Sequence, residues 1–157
     1  MSTKKTVAQP SATEVAKQVE GFIDKFEPAM AKRIREVRAA LRKRFPTAIE
    51  MVYDNYNFFV IGYSPTTRPT DYIVSLAANA KGVGLSFNHG ADLPDPHSIL
   101  QGSGSQNRFV RLEGAKTLSD PHVAEAIDAA VATAEELPEE KGYTVVRSIA
   151  AKQRSRR

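Results

Sequence analysis

Apolar residues along the chain recur first at helical spacing and then, from about residue 49, in short runs of strand character. Val15, Val19, Phe22, Ile23 and Phe26 form one helical stripe behind Ser11-x-x-Glu14, a capping-box pattern in which hydroxyl and carboxylate each satisfy a first-turn N–H. This predicts a first helix ending near Glu27-Pro28. Met30, Ile34, Val37, Leu41 and Phe45 predict a second, with Pro28 in its first turn. These five positions fall within an arc of about 80° on a helical wheel, which leaves most of the basic residues on the opposite, solvent side.

Ile49 to Tyr53, Phe58 to Tyr63, Tyr72 to Ala78, Val83 to Phe87 and Phe109 to Leu112 are β-branched and aromatic runs parted by turn residues. They predict an antiparallel sheet of about five strands. In the fourth run Val83, Leu85 and Phe87 share one face, while Gly82, Gly84 and Ser86 share the other. That second face carries almost no side chains, so it either receives a closely packed element or leaves a groove. Residues 88–107, rich in Gly, Pro, Asp and Ser, are too long for a routine turn and are expected to overhang the groove as a lid. Ser119 or Asp120, with Pro121, opens a last helix bearing Val123, Ile127, Ala130 and Val131; Tyr143 to Ile149 alternates weakly as a further strand. The expected organisation is α+β: two N-terminal helices and one C-terminal helix on the sheet. Residues 1–10 are expected to be a flexible start, residues 11–149 one domain, and residues 150–157 a basic tail with nothing to bury.

Composition narrows the chemistry. A chain of 157 residues without Cys has no disulfide, thiolate metal site or cysteine nucleophile. No apolar run approaches the roughly 20 residues of a membrane-spanning helix. The polar start Met1-Ser2-Thr3-Lys4-Lys5 lacks an apolar leader segment, so the expected location is the cytoplasm. The net charge of +4 conceals segregation: residues 28–45 hold seven bases against Glu36, residues 119–140 hold seven acids and no base, and residues 141–157 hold six bases.

Several short motifs in one order, Met51-Val52-Tyr53-Asp54-Asn55-Tyr56-Asn57, Val60-Ile61-Gly62-Tyr63-Ser64-Pro65-Thr66, Gly90-Ala91-Asp92-Leu93-Pro94-Asp95-Pro96, Gly102-Ser103-Gly104 and Arg108-Phe109-Val110-Arg111-Leu112, resemble the YdhG-like bacterial domain of unknown function. The resemblance covers roughly residues 15–135, and Val146 to Arg154 is similar to a tail carried by one subgroup. It implies a small α+β domain. Some members are labelled iron chaperones by likeness to frataxin, so the resemblance implies metal carriage as one reading; the cationic face of the second helix would repel iron ions.

Candidate sites follow from residue type. Tyr53, Asp54, Asn55, Tyr56 and Asn57 offer phenols, amides and a carboxylate as the polar wall of a ligand cleft, or serve as a hairpin turn that bonds its own backbone. Gly102, Ser103, Gly104 and Ser105 with Arg108 and Arg111 could form a backbone nest and guanidinium for an anion, or a plain turn entering a strand; the two arginines have opposite strand parity, so without a bulge only one of them can enter a given pocket. His89, Asp92, Asp95 and His97 offer metal ligands within nine residues, but Pro94 and Pro96 keep the segment extended, so a solvated loop is expected; His122 reads as a surface or packing residue. Arg35, Arg38 and Arg42, with Lys152 and Arg154, invite low-specificity nucleic-acid association. No G-x-S-x-G, H-E-x-x-H or phosphate-loop pattern is present. The expectation is a non-enzymatic domain holding a small anionic or polar ligand, without cofactor or bound metal; a second copy of the chain is a partner that a covered sheet edge or an aromatic patch would imply.

Overall fold

The structure, a computed structural model, describes residues 9–157, so the expected flexible start lies largely outside the described residues. Helix α1 spans Ala12–Ile23, and the Ser11 hydroxyl caps it, accepting from the Glu14 N–H at 3.1 Å while donating to the Glu14 carboxylate at 3.1 Å. Helix α2 spans Pro28–Arg44. Strands β1 (Ile49–Asp54), β2 (Phe59–Ser64), β3 (Val74–Asn79), β4 (Gly82–Phe87) and β5 (Arg108–Leu112) form the antiparallel meander, followed by α3 (Pro121–Thr133) and β6 (Thr144–Ile149). Asp120 caps α3, its carboxylate accepting from the N–H groups of His122 and Val123.

The sheet has six strands in the order β5-β4-β3-β2-β1-β6, and β6 runs parallel to β1. This corrects the purely antiparallel five-stranded expectation. Its cause is topological: α3 returns the chain to the end at which β5 began, so β6 enters in the same direction as β5 and β1. The crossover closes tightly. Gly142 donates to the Pro46 carbonyl at 3.0 Å, and a Cβ there would stand 1.9 Å from the Ala48 oxygen, so only glycine fits.

All three helices bury their apolar stripes on one face of the sheet. Val19, Phe22 and Ile23 of α1, Ile34, Val37 and Leu41 of α2, and Val123 and Ile127 of α3 form one core with Val52, Phe59, Ile61, Leu76, Leu85 and Val110. Strand β1 departs from this rule in an informative way. Glu50 and Asp54 share the core face with Val52, and both are buried.

Each carboxylate is satisfied from several elements. Glu50 accepts from Arg38 Nε and Nη2 at 3.1 and 3.0 Å, from the Tyr63 hydroxyl at 2.8 Å and from the Thr144 hydroxyl at 2.7 Å, joining α2, β2 and β6. Asp54 accepts from Lys25 Nζ at 2.6 Å and from Arg156 Nη2 at 2.9 Å. Arg156 is itself buried. Its Nε and Nη1 have no hydrogen-bond partner among the described residues, and the Phe26 ring 5.9 Å away offers its negative face instead.

Residues 150–157 are therefore a strap rather than a free tail. Ala150 and Arg154 donate to the carbonyls of Asp54 and Tyr56 at 2.8 and 2.9 Å, and Gln153 Nε2 donates to the Asp54 carbonyl at 2.9 Å. The expectation that this segment has nothing to bury fails because it supplies the second cation that a fully buried aspartate requires. Deleting residues 152–157 is expected to destabilise the fold by roughly 3 kcal/mol, read as a lower urea midpoint; an unchanged midpoint would show that Lys25 alone suffices.

Burial pushes the carboxyls of Glu50 and Asp54 upward. The hydrogen bonds and charge of Arg38 at Glu50, and the hydrogen bonds of Lys25 and Arg156 at Asp54, outweigh it, so both titrate below the ordinary carboxylate range. A carboxyl depressed by folding contributes stability above its unfolded pKa, near 4, and loses it as pH falls through the folded value. The urea midpoint is expected to hold from neutrality to about pH 5 and to decline below about pH 4. A midpoint that rose on acidification would contradict these assignments.

Candidate functional site

With every helix of the described residues on one side, these residues leave the opposite face of the sheet open, and its side chains follow strand parity. Antiparallel register aligns Val60, Ala77, Gly84 and Arg111 in one row across β2 to β5, and Gly62, Ser75, Ser86 and Phe109 in the next. Asn79 and Gly82 begin a third. The centre of this face is made of Gly, Ala and Ser, so the sheet backbone forms the floor of a groove of about 500 Å³. Its volume is within the usual range for a small-molecule site.

Larger residues stand around this floor. Phe58 flanks one end and Phe109 the other. Tyr72 packs over Gly62, where a Cβ would meet the tyrosine Cβ at 3.5 Å. Burial, and then the neighbouring Tyr53, raise the pKa of the Tyr72 phenol, so it remains a neutral donor. Ser75, Ser86, Asn79 and Asn107 add hydrogen-bonding groups.

The charge of the groove has one sign. Lys81 and Arg111 line it, and among the described residues no acidic one does. Among the described residues neither cation enters an ion pair, and Arg111 is exposed. A depression along β6 likewise holds one cation, Arg147, and no acid among the described residues, but two others differ in this respect. The one beside Arg42 and Lys141 also holds Glu50 and Glu139, and the one between α2 and α3 holds Asp128, already bonded to Arg44 at 2.9 Å.

The sequence-predicted residues are only partly gathered here. Tyr53 pairs with Val60 and so shares the open face beside the groove. Asp54 does not, since it points into the core and is spent on Lys25 and Arg156. Asn55 bonds the Ser148 hydroxyl through its side chain at 2.8 Å and receives Arg156 on its carbonyl, so it anchors the strap. Tyr56 lies under the Arg154 guanidinium, 5.6 Å from the ring centroid, and Asn57 is an exposed turn residue.

The Gly-Ser-Gly turn makes no anion nest with Arg108. That guanidinium donates to the carbonyls of Gly104 at 2.5 Å and Asn107 at 2.8 Å, so it closes the loop on itself. Arg108 also has the core-facing parity of Val110. Arg111, paired with Gly84, is the arginine on the groove. Sequence reasoning missed Phe109 and left Arg108 and Arg111 as alternative arginines; Phe109 and Arg111 share strand parity opposite to Val110 and Leu112, and the pairing of β5 with β4 gives that parity its meaning.

The segment 88–107 is not a lid. Leu93, Ile99 and Leu100 pack against the core, and Gln101 exchanges backbone hydrogen bonds with Phe109 at 2.8 and 3.0 Å, covering the outer edge of β5. Gly102, at φ +113°, lies against the Phe109 ring, and Asn107 reaches the groove, but the floor stays open.

The cationic face of α2 is largely neutralised. Arg35 bonds Glu20 at 2.7 Å and Asp24 at 2.5 Å, and these hydrogen bonds raise its pKa. Arg38 is buried on Glu50, and Arg42 stands 3.6 Å from the same carboxylate. Lys152 and Arg154 are both exposed, Arg154 with its guanidinium over the Tyr56 ring. The charge blocks mislead because the acids of α1 pack against the bases of α2. No family model, no curated protein and no solved structure matches this chain, so the groove is characterised by its own residues.

Proposed function

We propose that the protein is a non-enzymatic binding domain that holds a small, flat, anionic ligand in the groove on the open face of the sheet. The observation that carries this reading is the pairing of a floor of small side chains with two cations that, among the described residues, are unpaired and have no acid beside them in the groove. A flat apolar body covers Ala77 and Gly84 and removes Val60, Phe58 and Phe109 from water, which favours an aromatic or conjugated skeleton. A carboxylate on that skeleton reaches Arg111, whose planar guanidinium suits bidentate bonding, while Lys81 contributes a second positive charge. The serine and asparagine groups orient the remaining polar atoms.

Gly84 permits a clean test. A Cβ there would meet only the Val110 carbonyl, at 3.5 Å, which is ordinary contact, and valine is a good strand residue. Gly84→Val therefore keeps the fold while filling the floor. Calorimetric titration with naphthoate is expected to give saturable binding to the natural chain and none to Gly84→Val. Arg111→Ala is expected to weaken binding by roughly tenfold or more, because one charge-assisted pair is lost. Absent binding to the natural chain, or binding indifferent to both substitutions, would refute the reading.

A further inference from the structure

A second cluster stands apart from the groove, where the 88–107 segment meets the start of α3. His97 from the loop stacks on His122, ring centroids 3.7 Å apart. Glu125, one helical turn beyond His122, joins them. One ligand atom from each of the three lies within 4.8 Å of the others, and all three side chains are exposed. We infer that His97, His122 and Glu125 form a surface site for a divalent transition ion of the zinc class.

The ligand chemistry selects the ion. Two imidazoles and a carboxylate suit zinc and its first-row neighbours, whereas calcium and magnesium prefer oxygen alone. Nitrogen and oxygen ligands about 2.1 Å from a tetrahedral ion stand about 3.4 Å apart, so an ion would draw the three ligand atoms together and splay the two imidazoles out of their stacked arrangement, 27° between planes. Three protein ligands leave a fourth position for water.

The backbone holds the two imidazoles in place. His122 and Glu125 are three residues apart on α3 and so share one face. The loop around His97 is fixed: Asp95 accepts from the N–H groups of Ile99 and Leu100 at 2.9 and 3.1 Å, and Ser98 adopts φ 53°, in the left-handed region. Ile99 and Leu100 are seated against the core, so His97 is not on a free arm. Glu125 enters no ion pair among the described residues, so its carboxylate is not already spent on a cation. His89, grouped with His97 by sequence, is instead near Asn88.

The test is calorimetric titration of the untagged full chain with zinc chloride, with circular dichroism as the check on folding. The expected result is one zinc ion per chain. His97→Ala and His122→Ala are each expected to weaken it by at least about tenfold, Glu125→Gln to weaken it less, and His89→Ala to leave it unchanged. No zinc uptake by the natural chain would overturn the inference. So would uptake that survives either histidine substitution at full affinity in a folded variant. Because these positions lie outside the groove, neither result bears on naphthoate binding.

Discussion

Three helices cover one face of a six-stranded sheet, and this one-sided burial governs what the other face can be. An open face of large apolar residues would drive association, and one of long charged residues would be an ordinary wet surface. This chain places Gly, Ala and Ser at the centre of that face, which lowers the surface relative to Phe58, Tyr72 and Phe109 around it. The groove is thus a consequence of side-chain size on a twisted sheet. It needs no lid, because the long connection between β4 and β5 is used to cover the edge of β5.

Strand β1 explains how so much of the chain's charge can be retained in so small a fold. Two carboxylates on its core face, four residues apart, would each be costly if left unpaired. They are answered from α2, β2 and β6 at Glu50, and from Lys25 and the strap at Asp54. Lys25, Arg38, Arg42 and Arg156 are consumed in this way. Arg111 and Lys81, by contrast, enter no ion pair among the described residues, and both line the groove.

The fold class was legible because its signals are local: Ser11-x-x-Glu14, the spacing from Met30 to Phe45, and the alternation from Val83 to Phe87 each fix an element without reference to its neighbours. The groove floor was legible for the same reason, since Gly82, Gly84 and Ser86 share a face by strand parity alone. The direction of β6, the strap and the core role of Asp54 were not, because each depends on an element far away in sequence. Asp54 and Arg156 are over one hundred residues apart, and no periodicity relates them. Arg108 and Arg111 show the boundary most clearly: parity separates them, but only the pairing with β4 says which one faces the groove.

The most direct measurement is a map of backbone amide chemical shifts as naphthoate is added to the natural chain. If the open face is the site, the shifts concentrate on Ser75 to Asn79, Gly82 to Ser86 and Asn107 to Arg111, and the helices remain unperturbed. Shifts centred on α2 or on the strap, with the amides of β3, β4 and β5 unmoved, would contradict the account.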